Sequence, residues 1–452
     1  MRRLRFDRGT LVLEGFNAGE IPEGFVVDPR VAGLRGPASG YARVVLDLHR
    51  AKIPFVDEAR RYAALGRTHV GARSPRPYQR EAVEAWRQAG RRGTVVLPTG
   101  AGKSYVAELC IADADRDVLV VAPTLDLVSQ WYDGLVRAFG EPIGVLGGGL
   151  HEVHPITVST YDSAWLHIER YGDRFGLIVF DEVHHLPGAS YRFAAEGAIA
   201  PFRLGLTATL ERPDGGHADV DHLVGPVVLR RGIAELSGEF LAEYRTEVIE
   251  VALSPAERSA YEEARSVFRG FVDETGLRLG GPDGWRRFLQ ASARSGAGRR
   301  AFRAWRESRR ILEGTETKLH VVAELLRRHV DNRVLIFTND NATVFEVSRR
   351  LLVPAITHHT DVKERRAILA AFGDGTLPVI AASRVLNEGV DLPSADVAIV
   401  MSGTSTPREH VQRLGRVLRK RGDKQAILYE LVVAGSVEEQ TSARRRDHDA
   451  YR

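Results

Sequence analysis

The sequence predicts an α/β protein with two domains, each built on a parallel sheet, a small α+β module in front of them and a helical insertion between them. Three observations carry this expectation. Short, near-continuous apolar runs alternate with helical patterns over residues 74–230 and again over 316–435, as in parallel strands covered on both faces. The chain's 452 residues suffice for about three domains at ~150 residues each. A Gly-containing loop, Leu97-Pro98-Thr99-Gly100-Ala101-Gly102-Lys103-Ser104, stands between a β-branched run and a helical one, the layout of a phosphate-binding loop.

Composition sets the outer bounds. Hydrophobic residues make up 44% and charged residues 27%, ordinary for a globular chain. The net charge is +4, with a pI near 9.2, a mild pull toward an anionic partner. No apolar run approaches the ~20 residues of a membrane span. The basic start, Met1-Arg2-Arg3-Leu4-Arg5-Phe6, is not followed by an apolar segment, so no secretory signal is expected and a cytoplasmic location is. The lone Cys110 excludes an intrachain disulfide and argues against a Cys-based zinc site.

In chain order, residues 1–72 read as the small module, with an alternating segment at Thr10–Glu14, a turn and helix over 53–65, and a basic start from Arg2, Arg3, Arg5 and Arg8. Residues 73–230 form the first α/β domain, with strands at 93–96, 118–122, 156–159, 177–180 and 204–207. In such sheets ligands sit beyond the C-terminal strand ends. Residues 231–452 form the second, with a strand at 246–251, a helical basic insertion over about 255–312, and strands at 334–337, 379–382, 397–400 and 426–429. This domain has no phosphate loop of its own. Within the insertion, Arg286, Arg287, Arg294, Arg299, Arg300, Arg303, Arg306, Arg309 and Arg310 are interleaved with Trp285, Phe288, Phe302 and Trp305. Two readings stand: a surface that tracks a nucleic-acid backbone, gripped by Arg299, Arg300 and Arg303, or solvated amphipathic helices whose aromatics are core.

The loop residues carry the first chemistry. Glycines let backbone N–H groups turn toward phosphate oxygens. Lys103 can reach the β- and γ-phosphates, and the Ser104 hydroxyl can take a place on Mg²⁺. Leu97 stands where the usual template has Gly. At the end of the 177–180 strand, Asp181 can hold the same Mg²⁺ and Glu182 can orient or deprotonate an attacking water. His184 and His185 lack a third ligand of suitable spacing, and His151-Glu152-Val153-His154 is not the His-Glu-x-x-His zinc helix. A polar link from the phosphate site toward the second domain suits His184 better than a metal. Gln79 of Arg76-Pro77-Tyr78-Gln79 could read an adenine edge or cap its helix. Arg413, Arg416 and Arg419 share one helical face, implying either a polyanion such as a γ-phosphate or a charged surface helix.

Taken in order, Arg76–Gln79, Leu97–Ser104, Ala122-Pro123-Thr124, Val158–Tyr161, Asp181–His184, Leu206–Thr209, Val334–Thr338, Ser383–Asp391 and Gln412–Arg419 resemble the motifs of superfamily 2 helicases. Thr160–Ser163, Pro201–Thr209, Ile356–Thr360 and Glu409–Arg419 look most like the XPB helicases in their short archaeal and bacterial form. The resemblance implies two RecA-like domains, a damage-recognition-like module at 1–72 and a thumb-like insertion. It implies an ATP- and Mg²⁺-dependent helicase or translocase with 3′→5′ polarity, acting on single-stranded, forked or duplex DNA in nucleotide excision repair or DNA opening. Carried over by motif, Arg76, Gln79, Thr99, Gly100, Ala101, Gly102, Lys103, Ser104, Gly389, Asp391, Gln412 and Arg413 serve the nucleotide. Asp181 and Glu182 serve metal and water, and Arg416 and Arg419 are arginine fingers. Thr207 and Thr209 couple hydrolysis to strand handling, and Pro123, Thr124 and Thr160 touch the DNA backbone. Archaeal relatives carry Arg-Glu-Asp shortly after the Thr-Ala-Thr motif, proposed to help separate strands. Here the triplet is Arg212-Pro213-Asp214, a departure that bears on duplex unwinding rather than on hydrolysis. The alternative is a DNA-stimulated ATPase that regulates a partner nuclease and does not unwind alone, since no constellation for phosphodiester cleavage appears in the chain. A monomer associated with the nucleoid is expected.

Overall fold

A computed structural model of the chain describes residues 2–16, 23–71, 73–210, 215–236, 240, 244–279, 284–383, 395–402 and 426–446. The chain divides into two compact units, Met1–Pro98 with Gly102–Arg231, and Thr99–Ala101 with Gly232–Arg452. Among the described residues no helix is long and apolar enough to cross a membrane.

The first unit opens with a five-stranded sheet of β1 (Arg2–Asp7), β2 (Thr10–Glu14), β3 (Val26–Asp28), β4 (Gly33–Pro37) and β5 (Phe55–Asp57), in the order β3-β4-β2-β1-β5. The helix Tyr41–Arg50 lays Tyr41, Val44 and Leu48 on Leu4, Leu11 and Leu13. Ile199 of the following domain joins the same core, so the module is packed onto that domain. The basic start is partly balanced, with Arg3 beside Glu58 and Arg5 beside Glu14. The helix expected over 53–65 is absent: β5 and an irregular stretch occupy it. Backbone bonding explains the difference. Arg61 N–H donates to Asp173 O, Leu65 N–H to Asp115 O, and Ala63 N–H to the Asp117 carboxylate. The peptide groups of this stretch are satisfied by the neighbouring domain instead of by a helix of their own.

That domain is an eight-stranded sheet: β6 (Arg92–Val96), β7 (Val118–Ala122), β8 (Gly144–Gly147), β9 (Leu150–Glu152), β10 (Ile156–Thr160), β11 (Leu177–Asp181), β12 (Phe202–Thr207) and β13 (Val227–Arg230), in the order β13-β6-β12-β11-β7-β10-β8-β9. Every ladder is parallel except β8–β9. β7, β10 and β11 are buried at every position, which is why they read as unbroken apolar runs. β9 is exposed throughout and follows Gly147-Gly148-Gly149, so the β8–β9 hairpin left no apolar signature.

The second unit carries six parallel strands: β14 (Tyr244–Val251), β15 (Val334–Phe337), β16 (Ala355–Ile356), β17 (Val379–Ala382), β18 (Val397–Val400) and β19 (Ala426–Val433), in the order β14-β19-β18-β15-β17-β16. The strand before the insertion thus belongs to the second sheet, as its edge against β19. Lys318, fully buried, donates to Met401 O and to both Glu438 oxygens at 2.6–2.9 Å. It ties the helix Glu316–Arg328 to the end of β18 and to the helix Val437–Arg446.

The insertion is three helices, Pro255–Glu274, Gly284–Arg294 and Gly296–Glu313. The first begins with a capping box between Ser254 and Glu257. Phe268, Phe271, Phe288 and Ala301 form its core, with Phe302 and Trp305 packed against it. Arg286, Arg287, Arg294, Arg299, Arg300, Arg303 and Arg306 are exposed. Phe288, Phe302 and Trp305 are therefore structural, whereas Trp285 is exposed among the arginines that cover the outside.

Candidate nucleotide and nucleic-acid site

Five neighbouring strands of the first sheet, β6, β12, β11, β7 and β10, run parallel, so their C-terminal ends share one edge. In that order they deliver Leu97–Ser104, Thr207–Thr209, Asp181–Glu182, Pro123–Thr124 and Thr160.

The phosphate loop starts from Leu97, whose N–H donates to Thr207 O at 3.0 Å. Leu97 is fully buried and is not among the residues with positive φ. Its side chain fills core where the template has Gly, without backbone strain. Gly100 and Gly102 do require glycine, at φ 86° and 82°. A Cβ at Gly102 would stand 2.6 Å from Gln79 Nε2. Lys103 opens the helix Lys103–Ala114, and its Nζ donates to Leu97 O at 3.2 Å. Thr99 Oγ1 has no hydrogen-bond partner among the described residues, and Ser104 is exposed on the first turn. Left-handed glycines, an unused hydroxyl, an ammonium and a helix N-terminus fit a polyphosphate.

Gln79 is buried. Its Oε1 accepts from Arg76 N–H at 2.9 Å and its Nε2 donates to Gly102 O at 3.4 Å. It caps its own helix, Pro77–Gln88, and also touches the phosphate loop.

Asp181, at the end of β11, is 7% exposed. Its Oδ2 accepts from Trp131 Nε1 at 2.8 Å and its Oδ1 from Glu182 N–H at 3.0 Å. Burial pushes its carboxyl above the usual range, while the Trp131 donor and the Lys103 charge pull it down. Trp131 was not legible as a site residue. Its sequence signal is only a Trp on the apolar face of the helix Leu125–Phe139, where a buried indole N–H needs an acceptor. Glu182 adopts φ 46°, uncommon for a residue with a Cβ. Such outliers persist where surrounding contacts enforce them, often at functional sites.

A polar chain continues from Glu182. His184, fully buried, places Nδ1 3.0 Å from Thr207 Oγ1 and 3.5 Å from Glu182 Oε2. Thr207 Oγ1 donates to Thr209 O at 2.7 Å and accepts from Thr209 N–H at 3.2 Å. Glu182 Oε2 stands 3.4 Å from the same hydroxyl, so Thr207 Oγ1 is shared among His184, Glu182 and both backbone groups of Thr209. These contacts tie His184 to Thr207, the last residue of β12, within the first unit. Thr209 Oγ1 is buried without a partner among the described residues. No group of three or more His, Cys, Asp or Glu residues able to hold a metal occurs among the described residues.

Thr124 follows β7, and Thr160 ends its partner β10. Each caps a helix: Thr124 Oγ1 accepts from Leu127 N–H and Thr160 Oγ1 from Ser163 N–H. Their own hydroxyls are thereby committed locally, beside Pro123. Arg212 and Asp214, Gly389 and Asp391, and Gln412, Arg413, Arg416 and Arg419 lie outside the described residues.

Fold and site together define an ATPase of the parallel-sheet kind, with its phosphate loop on the first sheet and none among the described residues of the second. Comparison with known proteins agrees. Residues 4–59 match the Xeroderma pigmentosum group B helicase damage recognition domain, 73–212 the type III restriction enzyme res subunit, and 317–421 the helicase conserved C-terminal domain. The chain is 41% identical over 372 residues to the DNA 3′-5′ translocase XPB2 of Sulfurisphaera tokodaii, covering 82% of this chain and 84% of that one. It is 32% identical to the DNA 3′-5′ helicase XPB of Kineococcus radiotolerans, covering 82% of this chain and 62% of that protein. The helicase domain of Pyrococcus furiosus Hef shares the fold, with TM-score 0.54 and 19% identity over 82% of this chain and 98% of that one. The chain belongs to the XPB-type superfamily 2 helicases, in the short archaeal and bacterial form.

Proposed function

We propose that the protein is an ATP-dependent DNA helicase or translocase moving 3′→5′. The observation that carries this is the shared edge of β6, β12, β11, β7 and β10, where the phosphate loop, the acid pair, the Thr207–Thr209 relay and the Thr124 and Thr160 caps stand on adjacent strand ends. Residues 73–230 hold the nucleotide on Lys103 and the loop backbone. Glu182 orients the attacking water, and Thr207 and Thr209 pass the state of that carboxylate toward the strand-binding ends of β7 and β10. Ser104 and Asp181 would hold Mg²⁺, which neutralises phosphate charge when bound. Arg416 and Arg419 of residues 231–452 are assigned as arginine fingers by motif, beside Gly389, Asp391, Gln412 and Arg413. The module at 1–72 serves DNA recognition, and the insertion at about 255–312 grips the backbone. The protein works as a monomer beside the nucleoid, with a nuclease as partner where cutting is required.

Steady-state ATPase with no nucleic acid, then with single-stranded, forked or duplex DNA or RNA, tests the reading beside a strand-displacement assay. Stimulation by DNA above RNA is expected. An ATPase indifferent to DNA would overturn it, and stimulation without displacement would mark a translocase, as Arg212-Pro213-Asp214 suggests.

A further inference from the structure

Asp181 is held from two sides by the helices that follow β7 and β10. Trp131, 4% exposed on the helix Leu125–Phe139, donates its indole N–H to Asp181 Oδ2 at 2.8 Å. Tyr161, 1% exposed at the start of the helix Tyr161–Tyr171, donates its hydroxyl to Asp181 O at 3.0 Å. The sheet order places β7 between β10 and β11, so Tyr161 reaches past the end of β7 to do so. Its ring is kept on that path by Phe180 and Tyr191, at centroid distances of 6.4 and 5.3 Å.

The same two helices carry the Thr124 and Thr160 caps. Tyr161 is the residue next to Thr160, and Trp131 stands about two turns beyond Thr124. Thr124 Oγ1 accepts from Leu127 N–H at 3.3 Å and Thr160 Oγ1 from Ser163 N–H at 3.1 Å, so each threonine is fixed to its own helix. Packed helices shift as stiff bodies, and a pull on either cap therefore displaces the polar group held on Asp181. Glu182 N–H takes one lone pair of Oδ1 and Trp131 one of Oδ2, and each carboxylate oxygen keeps a second. These donors aim the carboxylate and leave it room to ligate. The Thr207 hydroxyl meets Glu182 instead, so the Thr207–Thr209 relay acts on the other acid.

We propose that Trp131 and Tyr161 are positioning residues: they fix the aim of Asp181 toward its metal and pass strand binding at Thr124 and Thr160 to that carboxylate. The inference rests on the motor reading for the ligands at both ends. It deepens that reading by a second route, separate from the one through Thr207. Donors behind a metal-ligating carboxylate are typically worth about ten- to a hundredfold in metal affinity. Coupling between two binding sites is reciprocal, so it can be read from either ligand.

The test measures binding rather than turnover. Calorimetry gives the affinity of the full chain for a non-hydrolysable ATP analogue across a Mg²⁺ series and in EDTA, with and without a saturating single-stranded DNA oligonucleotide. In wild type the oligonucleotide should change the analogue's affinity in Mg²⁺ by at least about fivefold. Trp131→Phe keeps a buried ring and loses the N–H. It should raise the Mg²⁺ midpoint for analogue binding about tenfold, cut the coupling below about twofold, and match wild type in EDTA. Tyr161→Phe removes one oxygen and leaves the Asp181 carboxylate bonded. It should lower the coupling with a smaller change in the Mg²⁺ midpoint, and it reads the same route should Trp131→Phe fold poorly. Thermal midpoints separate a packing role: variants that lose stability yet keep the wild-type Mg²⁺ midpoint and coupling overturn the proposal. DNA-stimulated ATPase of wild type tells the two readings apart. Stimulation with no coupling in binding, or with full coupling kept in both variants, overturns the Trp131 and Tyr161 assignment alone. A wild type showing neither stimulation nor coupling takes the motor reading down with it.

Discussion

His184 Nδ1 lies 3.0 Å from the Thr207 hydroxyl, both side chains buried, at the ends of two paired strands. Thr207 also holds both backbone groups of Thr209, and its own carbonyl anchors Leu97 at the start of the phosphate loop. One residue therefore touches the acid motif, the phosphate loop and the strand after them. Thr207→Val keeps the shape and removes the hydroxyl. Orphaning buried partners costs about 1–3 kcal/mol. The expected outcome is a kcat lowered by at least about tenfold, an ATP Kd within about twofold of wild type, and a weaker response to DNA. Pre-steady-state binding and turnover of the variant check this. A variant with wild-type turnover and wild-type DNA stimulation would remove Thr207 from the coupling.

Lys103 and Glu182 separate binding from chemistry. Lys103→Ala removes the ammonium that rests on Leu97 O and is expected to abolish ATP binding and turnover together. Glu182→Gln keeps the side-chain length and loses the carboxylate. It should cut turnover by about 10²–10⁴ while still binding ATP. Filter binding of ATP beside steady-state hydrolysis distinguishes the two, and hydrolysis within a few-fold of wild type in either variant contradicts the assignment.

What the sequence made legible follows from how each feature is built. The strands β7, β10, β11, β15, β17 and β18 are almost entirely buried, so their residues are apolar without a break. The phosphate loop and Asp181–Glu182 announce themselves because their chemistry needs particular residue types at fixed spacing. Trp131 on Asp181, and Leu97 in place of Gly, do not: the first is a tertiary pairing of residues 50 positions apart, the second an accommodation by the core. The stretch 53–65 misled because its backbone partners lie at Asp115, Asp117 and Asp173, where no local pattern points. In the insertion the interleaving of arginine and aromatic was real, but Phe288 is wholly buried and Phe302 and Trp305 pack against the core, while Trp285 stays exposed beside Arg286 and Arg287.

Glu313 provides a pH readout of the base of the insertion. Its carboxyl is 8% exposed, and burial pushes it up to about 7, with Asp340 pushing the same way and Arg309 and Asn339 pulling it down. Lys318 stands nearby as a further cation. The folded state holds this proton more tightly than the unfolded chain does. Its contribution is therefore full below about pH 4.5 and is lost as pH rises through about 7, by at most about 3 kcal/mol. Glu313→Gln keeps the shape and cannot ionise. Thermal midpoints at pH 5 and pH 8 should differ less for the variant than for wild type. Equal pH dependence in the two proteins would show that Glu313 is ionised across this range.

The arginines of the insertion are testable by salt alone. Arg299, Arg300 and Arg303 are exposed on the helix Gly296–Glu313, while Phe288 and Ala301 beneath them are fully buried. Replacing all three by Gln leaves the core of the insertion intact, so the thermal midpoint should stay within about a degree of wild type. If each arginine neutralises one phosphate, the slope of log K against log salt should flatten by up to about 3, at ~0.9 per contact on duplex DNA and less on a single strand. Each single variant should then account for about a third of the change, because contacts released one counterion at a time contribute separately. DNA-binding isotherms at four salt concentrations measure this directly. A triple variant with the wild-type slope would mean that these guanidiniums serve only to solvate the outer face, and that the grip on DNA belongs to the strand ends at Thr124 and Thr160.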